Sequence, residues 1–257
     1  MDASTGPLNG VAQSFGEAFT SLVGWALAWW VGGDDPDLAM LRANVMAIRP
    51  VTSWLAAVVL GVSVVLAAVV VMVRRNGADL AALVIGLTRS ALVVSAGWLL
   101  LASSWSMSDG LSRWLLGSRP DIDAYADAVS AAMSQVDPAI GLTLSIVGIA
   151  ACLGFVAAAL ARFVIAVLLA VGLPAMAATT VVRGAGGMRL GLSWVVAVMA
   201  FKPLNAIVYR VGHGLVSATD DPVLVLLTVA LTFLLAAALL PGIASLAGGL
   251  VPVVVVR

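Results

Sequence analysis

Four side chains that can carry charge or form hydrogen bonds lie at helical spacing within one apolar segment. They are Lys202, Asn205, Tyr209 and His213. Because a helix turns by about 100° per residue, steps of three and four residues place all of them on one face. Charged side chains within membrane helices face protein or water rather than lipid. We therefore expect this polar stripe to line a water-filled path or an interface between subunits.

Two prolines and an arginine are also relevant to the predicted role of the polar stripe. Lys202 is the only lysine of the chain, and Pro203 directly after it predicts a kink, because proline removes a backbone donor. Alternatively, the lysine is buried and donates to a carbonyl group that the kink frees, and both interpretations remain open. Arg210 is included among the path- or interface-lining residues, and Pro174 predicts a further kink upstream.

The sequence offers no arrangement suited to catalysis or metal binding. One histidine and one cysteine cannot supply a zinc site with the usual number of ligands. The adjacent aspartates at 34–35 and 220–221 belong to solvated loops at the membrane edges, and no nucleophile elbow or phosphate-binding loop occurs. We predict a non-enzymatic protein without catalytic residues, cofactor or metal.

The composition is that of a membrane protein. Of the 257 residues, 62% are hydrophobic and 10% are charged, and the mean hydropathy is +1.13. Soluble domains have about 45–50% apolar and about 25% charged residues. Thirteen basic residues balance 13 acidic ones, so no basic surface is available to bind phosphate backbones. We predict an all-α, polytopic protein in the lipid bilayer, without sequence-specific binding of nucleic acid by this chain alone.

Five apolar segments are long enough to cross a bilayer, which takes about 20 residues. They are 54–73, 84–107, 138–161, 190–216 and 223–240. The stretch 163–182 is equally apolar, but no turn residues near Arg162 supply a hairpin. We interpret Arg162 as a boundary residue and 163–182 as a bent continuation, a re-entrant segment or an interfacial one; six crossings are the alternative. The apolar tail is expected to be broken up by Pro241, Gly248, Gly249 and Pro252.

The start of the chain predicts an amphipathic helix in the membrane interface. Apolar residues recur at helical intervals through 11–31, while Glu17 and its polar neighbours keep one side polar. Tryptophan prefers the headgroup level, so Trp25, Trp29 and Trp30 are predicted to be interfacial anchors. A short crossing is the alternative.

Loop charges predict the orientation of the chain. The connection after the first crossing contains Arg74 and Arg75, whereas the connection 108–137 contains five aspartates. The arginines at positions 162, 183 and 189 have no acidic residues opposing them. Since basic loops stay in the cytoplasm, we predict a multi-pass protein of the cytoplasmic membrane. Its N-terminus and the connection 108–137 lie outside, and its C-terminus lies in the cytoplasm.

The predicted organisation has four consecutive parts. They are an external N-terminal segment with the amphipathic helix, the first two transmembrane helices, an external loop and a C-terminal transmembrane bundle, over 1–50, 51–107, 108–137 and 138–257. Within the external loop, apolar side chains at helical intervals from Tyr125 to Val136 predict a short helix. We expect its apolar face to dock on the membrane or on a neighbouring subunit.

The order of these features resembles the TrbL/VirB6-like polytopic membrane proteins of type IV secretion and conjugation systems, in the form found in actinobacteria. The resemblance covers most of residues 11–220. It includes the Trp-rich segment, Val73-Arg74-Arg75-Asn76, Ser108-Asp109-Gly110-Leu111-Ser112, Leu173-Pro174-Ala175-Met176-Ala177 and Lys202-Pro203. It implies a channel or scaffold subunit that forms a homo-oligomer, works beside other secretion subunits including ATPases, and helps DNA or protein substrate cross the membrane. A self-contained small transporter or ion channel is the alternative.

Overall fold

All regular structure in the described part of the chain is α-helical. The computed structural model describes residues 6–32, 37–74, 77–117, 122–183 and 186–250. Within these ranges the helices are α1 (Gly6–Gly32), α2 (Leu38–Arg74), α3 (Gly77–Leu116), α4 (Ile122–Gln135), α5 (Pro138–Arg183), α6 (Gly186–Ser217) and α7 (Pro222–Leu250). The predicted all-α fold class is confirmed.

Three of the described helices contain segments long and apolar enough to cross a membrane. These segments are Pro138–Gly172, Leu190–Ser217 and Pro222–Ala247. In α3, Val84–Val93 and Ala96–Leu116 meet at an angle of 48° and add a fourth span if they are counted together. Helix α2 contains a shorter apolar stretch, Ala57–Leu66. A polytopic membrane protein is thus supported, while the count of five crossings stays a prediction.

Helix α5 continues through Arg162 without a turn. Its apolar segment Pro138–Gly172 has 35 residues, which at 1.5 Å per residue extend over about 52 Å. The hydrocarbon core of a bilayer is only about 30 Å thick. Two antiparallel crossings would need a hairpin at Arg162. The structure has continuous helix there instead, as in the predicted continuation. Pro174 lies outside the residues whose side chains are described, and its kink stays a prediction.

Helices α5 and α7 both begin at an Asp-Pro pair. Asp137 Oδ1 accepts a hydrogen bond from the backbone N–H of Ala139, and Asp221 Oδ1 accepts one from that of Val223, each at 2.9 Å. Aspartate is a favoured N-cap, and a proline in the first helical position has no N–H group that would need a partner. Local sequence alone therefore determines where these two helices start.

Several predicted boundaries fall inside helices. The prediction that the apolar tail is broken up is wrong for Pro241, Gly248 and Gly249, because α7 includes them and continues to Leu250. Pro252 lies outside the described residues. Pro203 and Pro50 likewise lie inside α6 and α2. In apolar surroundings a helix satisfies nearly all of its backbone groups internally, so one lost donor does not end it. The predicted boundary after residue 50 lies inside α2, which begins at Leu38. The predicted boundary after residue 107 lies inside α3, which extends to Leu116.

The described residues group into two compact units, each discontinuous in sequence. Unit 1 takes the described residues within 1–37, 109–161 and 202–240, and unit 2 those within 38–108, 162–201 and 241–257. The core of unit 2 includes Leu41, Val45, Trp105, Ala166 and Val198. The core of unit 1 is built from α1 and α4 together with parts of the longer helices, and it contains the polar stripe.

Part of the apolar surface of α1 is buried in the protein, and the rest is exposed. Phe19, Val23 and Trp30 are buried in unit 1, whereas Val11 and Trp25 are exposed. At about 100° per residue the exposed apolar positions form an arc directly beside the buried arc. The predicted helix is therefore present, and roughly half of its apolar surface is used inside the protein.

The short helix predicted in the loop 108–137 is present as α4. Tyr125, Val129 and Ala132 are buried along its apolar face, and α4 packs against α1. The expected partner is corrected, because the buried part of this face packs within the chain, against α1 and against Tyr209 and His213 of α6, rather than on the membrane or a neighbouring subunit. The loop itself is shorter than predicted, since α3 continues to Leu116.

Glycines allow helices of unit 1 to approach closely. A Cβ atom placed on Gly148 of α5 would overlap the ring of Phe19 in α1, and one on Gly212 of α6 would overlap the side chain of Thr232 in α7. Small residues at such crossings permit the close contacts that stabilise helix pairs in lipid.

Replacing Gly212 with alanine tests the contact between α6 and α7. We expect Gly212→Ala to lower the free energy of unfolding by about 1–3 kcal/mol, because Thr232 leaves no room for a methyl group. The measurement is thermal unfolding of the purified protein in detergent. Gly214→Ala on the same helix is the control, since a Cβ there meets nothing within 4 Å. Equal stability of the two variants would contradict the close contact.

Candidate functional site

Lys202 forms an ion pair with Asp109 inside unit 1. Its Nζ lies 3.2 Å from Asp109 Oδ1, and the two side chains are 13% and 15% exposed. Lys202 is near the middle of the apolar segment Leu190–Ser217, where an isolated charge would cost at least about 2.5 kcal/mol. The ion pair explains how this segment tolerates a lysine, and the carboxylate is a partner that neither interpretation of the sequence named.

The sequence pattern does not identify Asp109 as the partner of Lys202, because this residue follows the second apolar segment and lies among the aspartates predicted for the external loop. In the structure α3 extends to Leu116, so Asp109 is a helical residue two turns before the end of α3. The available signal was the lysine itself, since a lone cation in an apolar segment requires a partner from elsewhere in the chain.

The central residues of the polar stripe are buried inside unit 1. Asn205 is 2% exposed and Tyr209 is 4% exposed. The Tyr209 ring lies 6.5 Å from that of Trp30 and 5.5 Å from that of Tyr125, measured between ring centroids. These side chains therefore do not face an outer surface of the chain, because α1 and α4 cover them. A path inside unit 1 stays a prediction.

His213 lies at the end of the stripe, beside α4. It is half-buried, and its ring stacks on Tyr125 at 5.8 Å with an interplanar angle of 16°. The Tyr209 ring is 6.1 Å away. Burial raises the pKa of the Tyr125 phenol, which therefore stays protonated beside the imidazole. The structure joins His213 to the aromatic cluster around Tyr125 and Tyr209.

Arg210 caps the end of another helix. It is exposed, and its Nη1 donates a hydrogen bond to the Leu115 carbonyl at 2.7 Å, in the last turn of α3. The final carbonyl groups of a helix have no partners within the helix and attract cations. Gly117, with a φ of 75°, then ends α3 in the left-handed conformation that glycine favours. The contact of Arg210 is thus with a helix end rather than with the other stripe residues.

The three tryptophans predicted as interfacial anchors have different environments. Trp25 is 52% exposed and stacks on Trp29 at 6.0 Å. Trp30 is only 3% exposed and meets the Phe155 ring edge-on at 5.8 Å. Trp25 and Trp29 thus remain accessible for contact with a membrane surface, whereas Trp30 belongs to the core of unit 1.

Arg162 is a buried cation of unit 2. Its side chain is 3% exposed, with Nε donating to the Val198 carbonyl at 2.9 Å and Nη2 donating to Ser108 Oγ at 3.4 Å. Ser108 Oγ in turn donates to the Met199 carbonyl at 2.6 Å. The guanidinium carbon lies 4.0 Å from the centre of the Trp105 ring, a cation–π contact that gains strength away from water. Arg162 thereby joins segments of α3, α5 and α6 within this unit.

The expectation that Arg162 reaches the lipid headgroups is not met, because its side chain is buried in protein; its level relative to the membrane stays a prediction. Helix α5 does not end there, and protein groups rather than water surround the guanidinium. The signal in the sequence was the lack of any turn residue between two long apolar runs, which predicts a continuous helix with a charge inside it. The residues that bind Arg162 are remote in sequence, so no local pattern identified them.

Together, these contacts connect residues of different helices. Within the described ranges, no group of three or more His, Cys, Asp or Glu side chains could hold a metal ion. Cys152, the one cysteine, is buried.

No protein-family model matches the chain, and no curated protein and no solved structure matches it.

Removing one partner of the Lys202–Asp109 pair tests its contribution to stability. Lys202→Leu and Asp109→Leu each separate a charge from its partner, so we expect the free energy of unfolding to fall by up to roughly 3 kcal/mol. The double variant Lys202→Leu/Asp109→Leu removes both charges and should be close to wild type. Thermal unfolding in detergent measures all three. A double variant less stable than both single variants would contradict the pairing.

Proposed function

We propose that this chain is a non-enzymatic channel or scaffold subunit of a type IV secretion (conjugal transfer) machine in the cytoplasmic membrane. Its role is to help DNA or protein substrate cross that membrane. The main support is the use of its buried cations: Lys202 pairs with Asp109, and Arg162 binds carbonyl groups and Trp105. Such contacts stabilise a defined arrangement of helices, which is what a structural subunit of a membrane assembly requires.

The choice of this machine rests on the resemblance to TrbL/VirB6-like proteins. The amphipathic first helix, the basic pair at 74–75 and the segment around Lys202 follow one another as in that family. The Ser108–Ser112 element of the resemblance supplies a hydrogen-bond partner of Arg162 and the acid that pairs with Lys202. Elements of the resemblance thus coincide with the charged contacts of the structure.

Exposed apolar side chains support a lipid-embedded, oligomeric subunit. Trp54, Val62, Val65, Val69 and Met72 are all exposed along α2. So large an apolar surface requires lipid or protein around it. We propose the lipid bilayer, further copies of this chain and other secretion subunits, including ATPases, as its partners.

The surface of α1 supports its position in the external membrane interface. Its exposed apolar arc includes Val11, Phe15 and Trp25, while Gln13 and Glu17 occupy the polar side and are joined by a hydrogen bond at 3.1 Å. A helix with these two exposed sides satisfies both by lying at the boundary between lipid and water. We propose that α1 lies along the outer interface, with α4 on top of it.

Thiol labelling in cells tests the proposed orientation, which has five crossings, an external N-terminus and a cytoplasmic C-terminus. In a Cys152→Ser background, cysteines replacing Asp123 and Asp220 should react with an impermeant reagent added from outside. A cysteine replacing Gly186 should react only after the membrane is permeabilised. Asp220 is chosen over Asp221 because Asp221 caps α7. External labelling at Gly186 would contradict the five-crossing arrangement.

Transfer assays in the native host test the function itself. Deleting the gene should abolish conjugal transfer, and the wild-type gene should restore it. The Lys202→Leu/Asp109→Leu variant should insert and fold yet transfer poorly, because it lacks the polar pair within the membrane segments. Normal transfer by the deletion strain would contradict the proposal. Ion flux through the purified protein in vesicles, together with normal transfer, would favour a self-contained channel.

A further inference from the structure

An open groove lies between α1 and α4 in unit 1, and the start of α5 adds to its wall. Its volume is about 520 Å³, within the range of about 300–1,000 Å³ typical of ligand sites. Along α1 it extends from Asn9 to Ser21, which is about 18 Å at 1.5 Å per residue. An extended chain advances about 3.3 Å per residue, so the groove matches about five residues of an extended peptide.

The floor of the groove is fixed by close packing. Met133 of α4 lies so near Gly16 of α1 that a Cβ atom on this glycine would come within 2.7 Å of the methionine methyl group. The Ser145 hydroxyl of α5 donates to Met133 Sδ at 3.6 Å. Because three helices hold this side chain in place, the groove is formed before a ligand arrives, which lowers the ordering cost of binding.

Polar groups along the groove are arranged as hydrogen-bond acceptors. The hydroxyl groups of Thr20 and Ser134 donate to carbonyl groups of their own helices, at 3.0 and 2.7 Å, so their oxygens are left to accept. The carboxylate of Glu17, which only accepts, is held by a hydrogen bond from the Gln13 amide at 3.1 Å. A ligand rich in donors therefore complements this surface.

The charge of the groove favours a cation. Among the described residues that line it, Glu17 is the only charged one. The described residues of unit 1 include eight acidic and three basic side chains, and two of the basic ones are engaged, Lys202 with Asp109 and Arg210 with the end of α3. Such an excess of acids attracts cationic ligands and repels anionic ones.

The groove is on the side of α1 that faces away from lipid. At about 100° per residue, Thr20 in the groove is roughly 140–180° from the exposed apolar residues Val11 and Trp25. Since the apolar side of an amphipathic helix is the one suited to a membrane, a ligand reaches the groove from the aqueous phase. A protein segment fits this position better than a lipid headgroup does.

We propose that the groove binds an extended segment of a partner protein through one arginine side chain. A guanidinium group has five N–H donors and no acceptor, and its planar fork matches a carboxylate. Glu17 accepts the fork, the hydroxyl oxygens of Thr20 and Ser134 are further acceptors, and the amides of Asn9 and Gln13 pair with the peptide backbone. This assignment does not rest on the proposed secretion function.

A methionine methyl signal tests binding directly, because Met133 lies in the floor of the groove. The purified protein in a nonionic detergent is titrated with the peptide acetyl-Ala-Ala-Arg-Ala-Ala-amide. The Met133 signal, assigned by its loss in Met133→Leu, should shift and saturate, while that of the exposed Met40 on α2 stays unchanged. The peptide with glutamine in place of arginine should bind about fivefold more weakly. No shift of the Met133 signal, or equal binding of the two peptides, would overturn the proposal.

Variants of the groove test its position in the same titration. Glu17→Gln should weaken binding of the arginine peptide about fivefold, whereas Asp220→Asn removes the same charge at an exposed residue outside the groove and should leave binding unchanged. Ser134→Trp should block the groove, and Gln135→Trp, exposed on the same helix but outside it, is the matched control. Equal effects of the two charge variants, or wild-type binding by Ser134→Trp, would overturn the proposal.

Discussion

A cation in apolar surroundings must find its partners within the protein, and the interior of both units depends on this constraint. Lys202 satisfies it with a carboxylate from α3. Arg162 satisfies it with carbonyl groups, a hydroxyl and the face of Trp105. In each case the partner comes from another helix, so the electrostatic requirement also connects helices. Separating either cation from its partners would leave a poorly solvated charge, which makes these contacts costly to lose.

Close packing works together with these polar contacts. At Gly148 and Gly212 the absence of a side chain lets a neighbouring helix approach until Phe19 or Thr232 fills the space. Lipid tails are as apolar as the helices, so association in a bilayer depends on such close contacts and on hydrogen bonds between helices. Asn205 lies in this close-packed region, where every polar atom needs a partner within the protein or a bound water.

Helix α1 has one apolar arc buried in the protein core and a second apolar arc on its exposed surface. Its buried arc supplies Phe19 and Trp30 to the core of unit 1, while Trp25 remains exposed beside the polar side of the helix. Helix α4 packs against α1, and its Tyr125 also contacts Tyr209 and His213 of α6. The N-terminal segment is therefore an integral part of unit 1 and not only an attachment to a surface.

By itself the sequence determined the class of the protein and the local features of its helices. Hydropathy identified the apolar segments, helical spacing located α4, and Asp-Pro pairs stand at the starts of α5 and α7, because each of these signals involves neighbouring residues. Only the tertiary structure decided that Arg162 is buried, that Asp109 pairs with Lys202, and that Trp30 belongs to the core. It also decided that α7 continues past Pro241. The physical reason is that the cost of a buried charge, an indole N–H or a missing backbone donor depends on groups that the fold brings from distant positions in the chain.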